Sequence, residues 1–248
     1  VSSHRWAPVD GSQAQAGQRL AEDGCLMCPG LLTWRETQLL GRLLLPRPEG
    51  AGQRELLSRP WAAALAARVR TRLVGAGLLS THARAVQCTL FDKTPARNWL
   101  VTWHQDLSVP VQGNSDADNG AWQRGAVKQG VRFVQPPAAW LARLLAVRLH
   151  IDRCGAGSGP LRVLPGSHHH GKLALDGPGG AVEVLRQVRA QHAEVRCTAE
   201  AGDALLMRPL TVHASSRMAD GAGQRRRVLH FVFAPPELPA GLRWHWSA

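Results

Sequence analysis

No stretch of this chain approaches the ~20 consecutive apolar residues that a membrane helix needs. Val1 to Leu20 carries no apolar core of a secretory leader, so the chain is expected in the cytoplasm and off the membrane. Cysteine is scarce and irregularly placed, at Cys25, Cys28, Cys88, Cys154 and Cys197. An odd number in a chain long enough to bury its own core excludes a disulfide framework and fits a reducing compartment. Cys25-Leu-Met-Cys28 is followed by no second CxxC or CxxH at zinc-site spacing, so both thiols are read as core or loop residues. No internal repeat is evident, and no basic tail stands apart from the apolar pattern.

What is there is an ordinary globular balance of 44% hydrophobic and 19% charged residues over 248 positions, enough for one domain across 1–248. The formal charge of +12, with a sequence pI near 11.1, points to anionic partners. The only dense basic cluster, Arg225-Arg226-Arg227, runs straight into Val228-Leu229-His230-Phe231-Val232-Phe233. That is a strand with embedded arginines, so nucleic acid is not an expected partner and a small molecule, an anionic one included, is.

Residues 1–23 are polar and rich in Gly, Gln and Ala, and read as a loosely ordered start. A helical flank over 24–80 follows. Thr33-Trp34-Arg35-Glu36 ahead of Leu39, Leu40, Leu43 and Leu44 is a capping box opening an amphipathic helix. Ser58-Arg59-Pro60 caps a second, with Trp61, Leu65, Val69 and Leu73 on one face. Beyond Gly77 the pattern changes to about eight short strands: 85–92, 99–103, 131–134, 146–151, 161–164, 194–197, 204–207 and 228–233. One more helix, over 181–192, interrupts them. Helices first and strands after predict an α+β, mainly β fold whose catalytic part, 83–234, is a barrel or double-layer sandwich.

The strand Val101-Thr102-Trp103 ends in His104-Gln105-Asp106, and alternation puts His104 and Asp106 on one face. Two histidines and a carboxylate on one face of an octahedron hold iron(II) in oxygenases and leave the opposite positions open. His213, closing the run from Gly202-Asp203 through Leu205, Leu206 and Val212, supplies the third ligand best. By spacing alone the alternatives stay open: His150-Ile151-Asp152 has the same form, and His168-His169-His170 is either a ligand source or a solvated loop.

Context separates these candidates. Phe91-Asp92-Lys93-Thr94-Pro95 followed by Trp103-His104-Gln105-Asp106 is one block, and Gly159-Pro160-Leu161-Arg162-Val163-Leu164-Pro165-Gly166-Ser167-His168 a second. Gly202-Asp203 through His213-Ala214-Ser215 is a third, and the arginine strand Arg226-Arg227-Val228-Leu229-His230 a fourth. In this order, over roughly 85–234, the chain resembles the phytanoyl-CoA dioxygenase family of non-haem oxygenases.

The resemblance implies a double-stranded β-helix of the jelly-roll or cupin type, with helices packed outside. It implies iron(II) held by His104, Asp106 and His213, and 2-oxoglutarate and O2 as co-substrates. Arg226 would then bind the distal carboxylate of 2-oxoglutarate as a bidentate pair, helped by the Ser215 hydroxyl. Arg225 and Arg227 would face away as surface charge. Gln87 and Lys93 fall where the family lines its pocket. Arg148 departs from relatives that carry Trp there; it either grips the co-substrate or an acidic substrate, or is a surface arginine. His150 aligns with a non-ligand position.

The implied reaction is hydroxylation of a small metabolite or natural-product intermediate at an unactivated C–H bond, with succinate and CO2 as co-products. The carboxylate at Asp106 argues against halogenation, for which halide needs that place. Desaturation and ring closure are the family's alternatives. Two further readings compete: a cupin-like isomerase or lyase using the triad without 2-oxoglutarate, and a basic binding module with an inactive metal site.

Overall fold

A computed structural model describes residues 13–44, 52–113, 122–174, 179–219, 225–239 and 241–248. In chain order the elements begin with α1 (Gln13–Asp23), β1 (Cys25–Cys28), α2 (Trp34–Leu43), β2 (Gly52–Gln53) and α3 (Pro60–Gly75). Next come β3 (Arg84–Lys93), β4 (Val101–His104), β5 (Val109–Gln112), β6 (Gln123–Lys128), β7 (Val131–Gln135), α4 (Ala138–Leu141) and β8 (Leu145–His150). The chain continues with β9 (Leu161–Val163), α5 (Gly180–Gln191), β10 (Val195–Cys197), β11 (Ala204–Met207), β12 (His213–Ser215), β13 (Arg226–Ala234) and β14 (Arg243–Trp244).

The strands make a major antiparallel sheet in the order β1-β11-β8-β13-β3-β2 and a minor one in the order β10-β9-β12-β4. A third, β14-β5-β7-β6, lies beside them. This is the double-stranded β-helix, mainly β with helices outside. Every strand expected from the pattern is present. None of the described helices is long and apolar enough to cross a membrane.

Period-2 alternation sorts the major sheet into two faces. Leu229, Phe231 and Phe233 of β13, Leu145, Val147 and Leu149 of β8, and Cys88 and Leu90 of β3 face outward. They bury against Leu40 of α2 and Leu65, Val69 and Leu73 of α3. The inner face carries Gln87, Thr89, Phe91, Arg148, Arg226 and His230, which line a cavity between the sheets. A separate buried cluster holds Cys25, Met27, Cys154, Val163, Cys197, Leu205 and Met207.

Several local expectations change. Residues 1–12 lie outside the described chain, but Gln13–Asp23 is a helix and not a loose start. Ala16 and Leu20, four apart, bury one stripe of it, and His168 and His169 reach the carbonyls of Ala21 and Glu22 in its last turn. Cys25–Cys28 is an edge strand in the region read as helical, paired with β11 so that Cys25 faces Met207. All five cysteines are free. Burial pushes the Cys25 thiol well up and the Cys28 thiol up to about 11, which suits packing and not metal binding.

The Thr33 capping box forms with Glu36, whose carboxylate also accepts from Arg72. In α3 the N-cap is Arg59, with Pro60 at the first helical position; the Ser58 hydroxyl donates instead to the Glu55 carbonyl.

Candidate metal and co-substrate site

β4 and β12 pair so that His213 lies directly opposite His104, with ring centroids 4.2 Å apart. Asp106 follows two residues on, its N–H donating to the Pro209 carbonyl at 2.9 Å. Between the two ligand candidates, the buried Gln105 turns the other way. Its amide donates to the carbonyls of Gly171 and Leu210, both at 2.7 Å, and accepts from Leu173 N–H at 2.9 Å. This explains the amide in the His-Gln-Asp block: a fully used Gln105 pins the bend that aims its neighbours. The Ser167 hydroxyl does the same for His213, accepting from Val212 N–H at 2.8 Å.

The ligand atoms of His104, Asp106 and His213 all lie within 4.8 Å of one another. Asp106 Oδ1 is 3.8 Å from His104 Nε2, and Asp106 Oδ2 is 3.7 Å from His213 Nε2. In each histidine Nδ1 faces a backbone carbonyl, Thr102 O at 2.8 Å and Thr211 O at 2.9 Å. Nδ1 therefore carries the proton and the Nε2 lone pair is bare toward the cavity, the tautomer a metal ligand requires. Burial holds the His213 imidazole neutral. The Asp106 carboxyl is desolvated too, but its net shift is downward and it is ionised. Two imidazoles presenting Nε2 and one carboxylate fit iron(II) with open positions.

Lys93 and Arg226 sit opposite each other on β3 and β13. Lys93 Nζ donates to Ser215 Oγ at 2.9 Å and to Ser216 O at 2.6 Å, which leaves the Ser215 proton free to point into the cavity. Arg226, 2% exposed, donates through Nη1 to Gly159 O at 3.0 Å, while its Nε has no partner. Gly159 has a φ of +66°, and a Cβ there would lie 2.5 Å from Ser216 O. Only glycine lets that carbonyl approach Arg226. Arg148, 6% exposed, donates to His230 Nδ1 at 3.2 Å, stands over the Phe91 ring and leaves Nε unpaired.

Among the described residues no carboxylate comes within ion-pair distance of Lys93, Arg148 or Arg226. Desolvation, with Arg226 and Arg148 adding to it, drives Lys93 down to about 7; burial and Arg226 lower Arg148 to about 10. Among the described residues only Asp106, beyond ion-pair distance, acts on one of these three buried basic groups, Arg148, and burying them so costs stability unless an anion joins them.

His104, Asp106, His213, Arg226, Ser215, Gln87 and Arg148 thus share one cavity of about 380 Å³, and Lys93 reaches it through Ser215. Arg148 is not a surface residue. Nor are Arg225 and Arg227 surface charge: Arg225 grips Asp92, and Arg227 grips Asp152 through Nε and Nη2. That second pair removes the look-alike His-x-Asp, since Asp152 is spent on Arg227 while His150 lies buried on the inner face with Nδ1 unpaired. His230, Trp99, Arg54 and Lys128 also line the cavity and were not read from the sequence. His230 had a signal, four residues beyond Arg226 on the same strand face; Arg54 and Lys128 come from distant segments and had none.

These features define a class of site: two imidazoles and a carboxylate able to hold a metal inside a double-stranded β-helix, beside buried basic groups that suit an anion. The family model for phytanoyl-CoA dioxygenase matches residues 45–227, and the chain belongs to this family of iron(II)- and 2-oxoglutarate-dependent oxygenases. Among solved structures, EctD from S. alaskensis, crystallised with 2-oxoglutarate and 5-hydroxyectoine, superposes with a TM-score of 0.67 at 18% identity, over 92% of this chain and 78% of that one. SnoK, a carbocyclase from nogalamycin biosynthesis, gives 0.63 at 15% over 94% and 88%. HygX from Streptomyces hygroscopicus, with nickel and 2-oxoglutarate bound, gives 0.59 at 16% over 89% and 86%. At these identities the likeness is one of fold. No curated protein matches the chain in sequence.

Proposed function

We propose that this chain is a hydroxylase of a small anionic molecule, using iron(II), 2-oxoglutarate and O2. The observation that carries the reading is the coincidence at one cavity of a bare Nε2–carboxylate–Nε2 set and three buried basic groups, Lys93, Arg148 and Arg226, with no carboxylate in ion-pair contact among the described residues. When bound, iron(II) with 2-oxoglutarate and O2 supplies the oxidant for placing one oxygen atom in a C–H bond, releasing succinate and CO2.

The chain's own residues do the placing. His104, Asp106 and His213 hold the metal on one face. Arg226 takes the distal carboxylate of 2-oxoglutarate, with the Ser215 proton donated to the same group and Lys93 behind it supplying positive charge. Gln87 and Thr89, hydrogen-bonded to each other at 3.2 Å, give the wall a polar edge. Arg148 keeps Nε free, and Arg54 and Lys128 add positive charge to the cavity lining. One dicarboxylate does not neutralise all of these groups, which favours a substrate bearing a carboxylate or phosphate. Asp106 fills the place that halide needs in halogenating enzymes, so hydroxylation is preferred.

The test is incubation of the iron-loaded protein with ascorbate, 2-oxoglutarate and pools of acidic metabolites under labelled O2. Succinate formed together with a product one labelled oxygen heavier is expected. A product lighter by two hydrogens, with succinate, would mean desaturation or ring closure. Product without succinate would mean an isomerase or lyase.

A further inference from the structure

Three imidazoles surround Asp106, and their Nδ1 partners divide them. In His104 and His213, Nδ1 faces a carbonyl, so Nε2 is a lone pair. In His230, Nδ1 lies 3.2 Å from Arg148 Nη1, and β8 and β13 set the two residues directly opposite each other. A guanidinium only donates. His230 Nδ1 is therefore the acceptor, and the proton of the neutral ring sits on Nε2. That nitrogen lies 3.9 Å from Asp106 Oδ2, the oxygen that also lies 3.7 Å from His213 Nε2, while Oδ1 is the one nearer His104. The same reasoning that makes His104 and His213 fit to be ligands makes His230 unfit, and turns it into an N–H donor aimed at the third ligand.

We propose that His230 is a positioning residue: its Nε2–H, fixed by Arg148, orients the Asp106 carboxylate so that one oxygen is committed to the metal. The inference rests on the metal assignment above. At 3.9 Å the contact is too long for a direct hydrogen bond, and closing it takes a shift of about 1 Å by the Asp106 side chain, which is 36% exposed. Arg148 then has two tasks, one N–H spent on the His230 tautomer and Nε left for an anion. Leu229 and Phe231 on either side of His230 are packed in the outer core, which fixes the ring's direction.

The experiment compares manganese(II) binding by wild type, His230→Leu, His230→Gln and Arg148→Met, by competition with a chelating dye, alongside melting of the metal-free proteins. Glutamine keeps both functions, its carbonyl accepting from Arg148 and its amide donating to Asp106. His230→Leu is expected to weaken metal binding roughly tenfold to a hundredfold, as loss of a partner of a metal ligand does, with His230→Gln back within about threefold of wild type. Arg148→Met, which frees the tautomer, falls between them. The metal-free melting points should not follow that order. Equal binding by His230→Leu and His230→Gln, whether both match wild type or both are weak, overturns the positioning role. Wild type binding manganese no better than His104→Ala would instead overturn the metal assignment, and this inference with it.

Discussion

The two faces of the major sheet are built from the same strands and obey opposite rules. On the outer face, Leu229, Phe231 and Phe233 alternate along β13 into a core of leucine, valine and alanine, and stability comes from apolar area removed from water. On the inner face of that strand, Arg226 and His230 alternate into the cavity, and neighbouring strands add Lys93, Arg148, His150, Thr89 and Gln87. Every one of these polar groups except Gln87 is buried, and Arg148, Arg226 and His150 each keep one nitrogen without a partner among the described residues. One face holds the fold together; the other is held by it in an arrangement that is complete only with a metal and an anion.

Substitutions should therefore separate the faces. The largest effect belongs to the metal set: His213→Ala or Asp106→Ala is expected to abolish succinate formation while leaving the metal-free fold intact, checked by assay and circular dichroism. Phe231→Ala, on the outer face, should cost about 3–5 kcal/mol of unfolding free energy in urea melts, with 2-oxoglutarate affinity retained in the folded fraction. Arg226→Met reverses that pattern. Calorimetry should show roughly 2–5 kcal/mol less binding energy for 2-oxoglutarate, while the metal-free protein is as stable as wild type or more so, because an uncompensated buried charge has gone. If Arg226→Met lowers stability as Phe231→Ala does, the two faces are not distinct in the way argued.

The smallest effect is on pH dependence. Lys93 has its pKa depressed to about 7 by burial and by Arg226 and Arg148, so above pH 7 the unfolded chain binds more protons than the folded one. Stability of the metal-free protein should then rise with pH from about 7 to 8.5, and Lys93→Met should flatten that slope. Adding 2-oxoglutarate and manganese should flatten it too, by keeping the ammonium charged.

The difference between the faces also explains what could be read from the sequence. Strands with an apolar outer face announce themselves by alternation, so 85–92, 146–151, 204–207 and 228–233 were legible, as was the Thr33 capping box. α1 was not: it buries only Ala16 and Leu20, and its end is tied by histidines 147 residues away. Nor were β1, β2, β5 and β14, strands of two to four residues whose existence depends on their partners. In the site, His104, Asp106, His213 and Arg226 stood in ordered blocks. His230 was overlooked in a strand that reads as apolar, despite sharing the face of Arg226, and Arg148 was named with its direction left open because one arginine in a hydrophobic run looks the same whether it faces inward or outward. The pairing of Arg225 with Asp92 and Arg227 with Asp152, which leaves Arg226 as the inward one, is a property of register.

The central claim is that one cavity holds a metal at His104, Asp106 and His213 and a 2-oxo dicarboxylate reaching from it to Arg226. Anaerobic titration of 2-oxoglutarate into the iron(II)-loaded protein tests both halves at once, because chelation of iron(II) by a 2-oxo acid produces a visible charge-transfer band. The account predicts a saturable band in wild type, absent from His213→Ala and requiring far more 2-oxoglutarate in Arg226→Met. A band of equal strength and midpoint in all three proteins would contradict it.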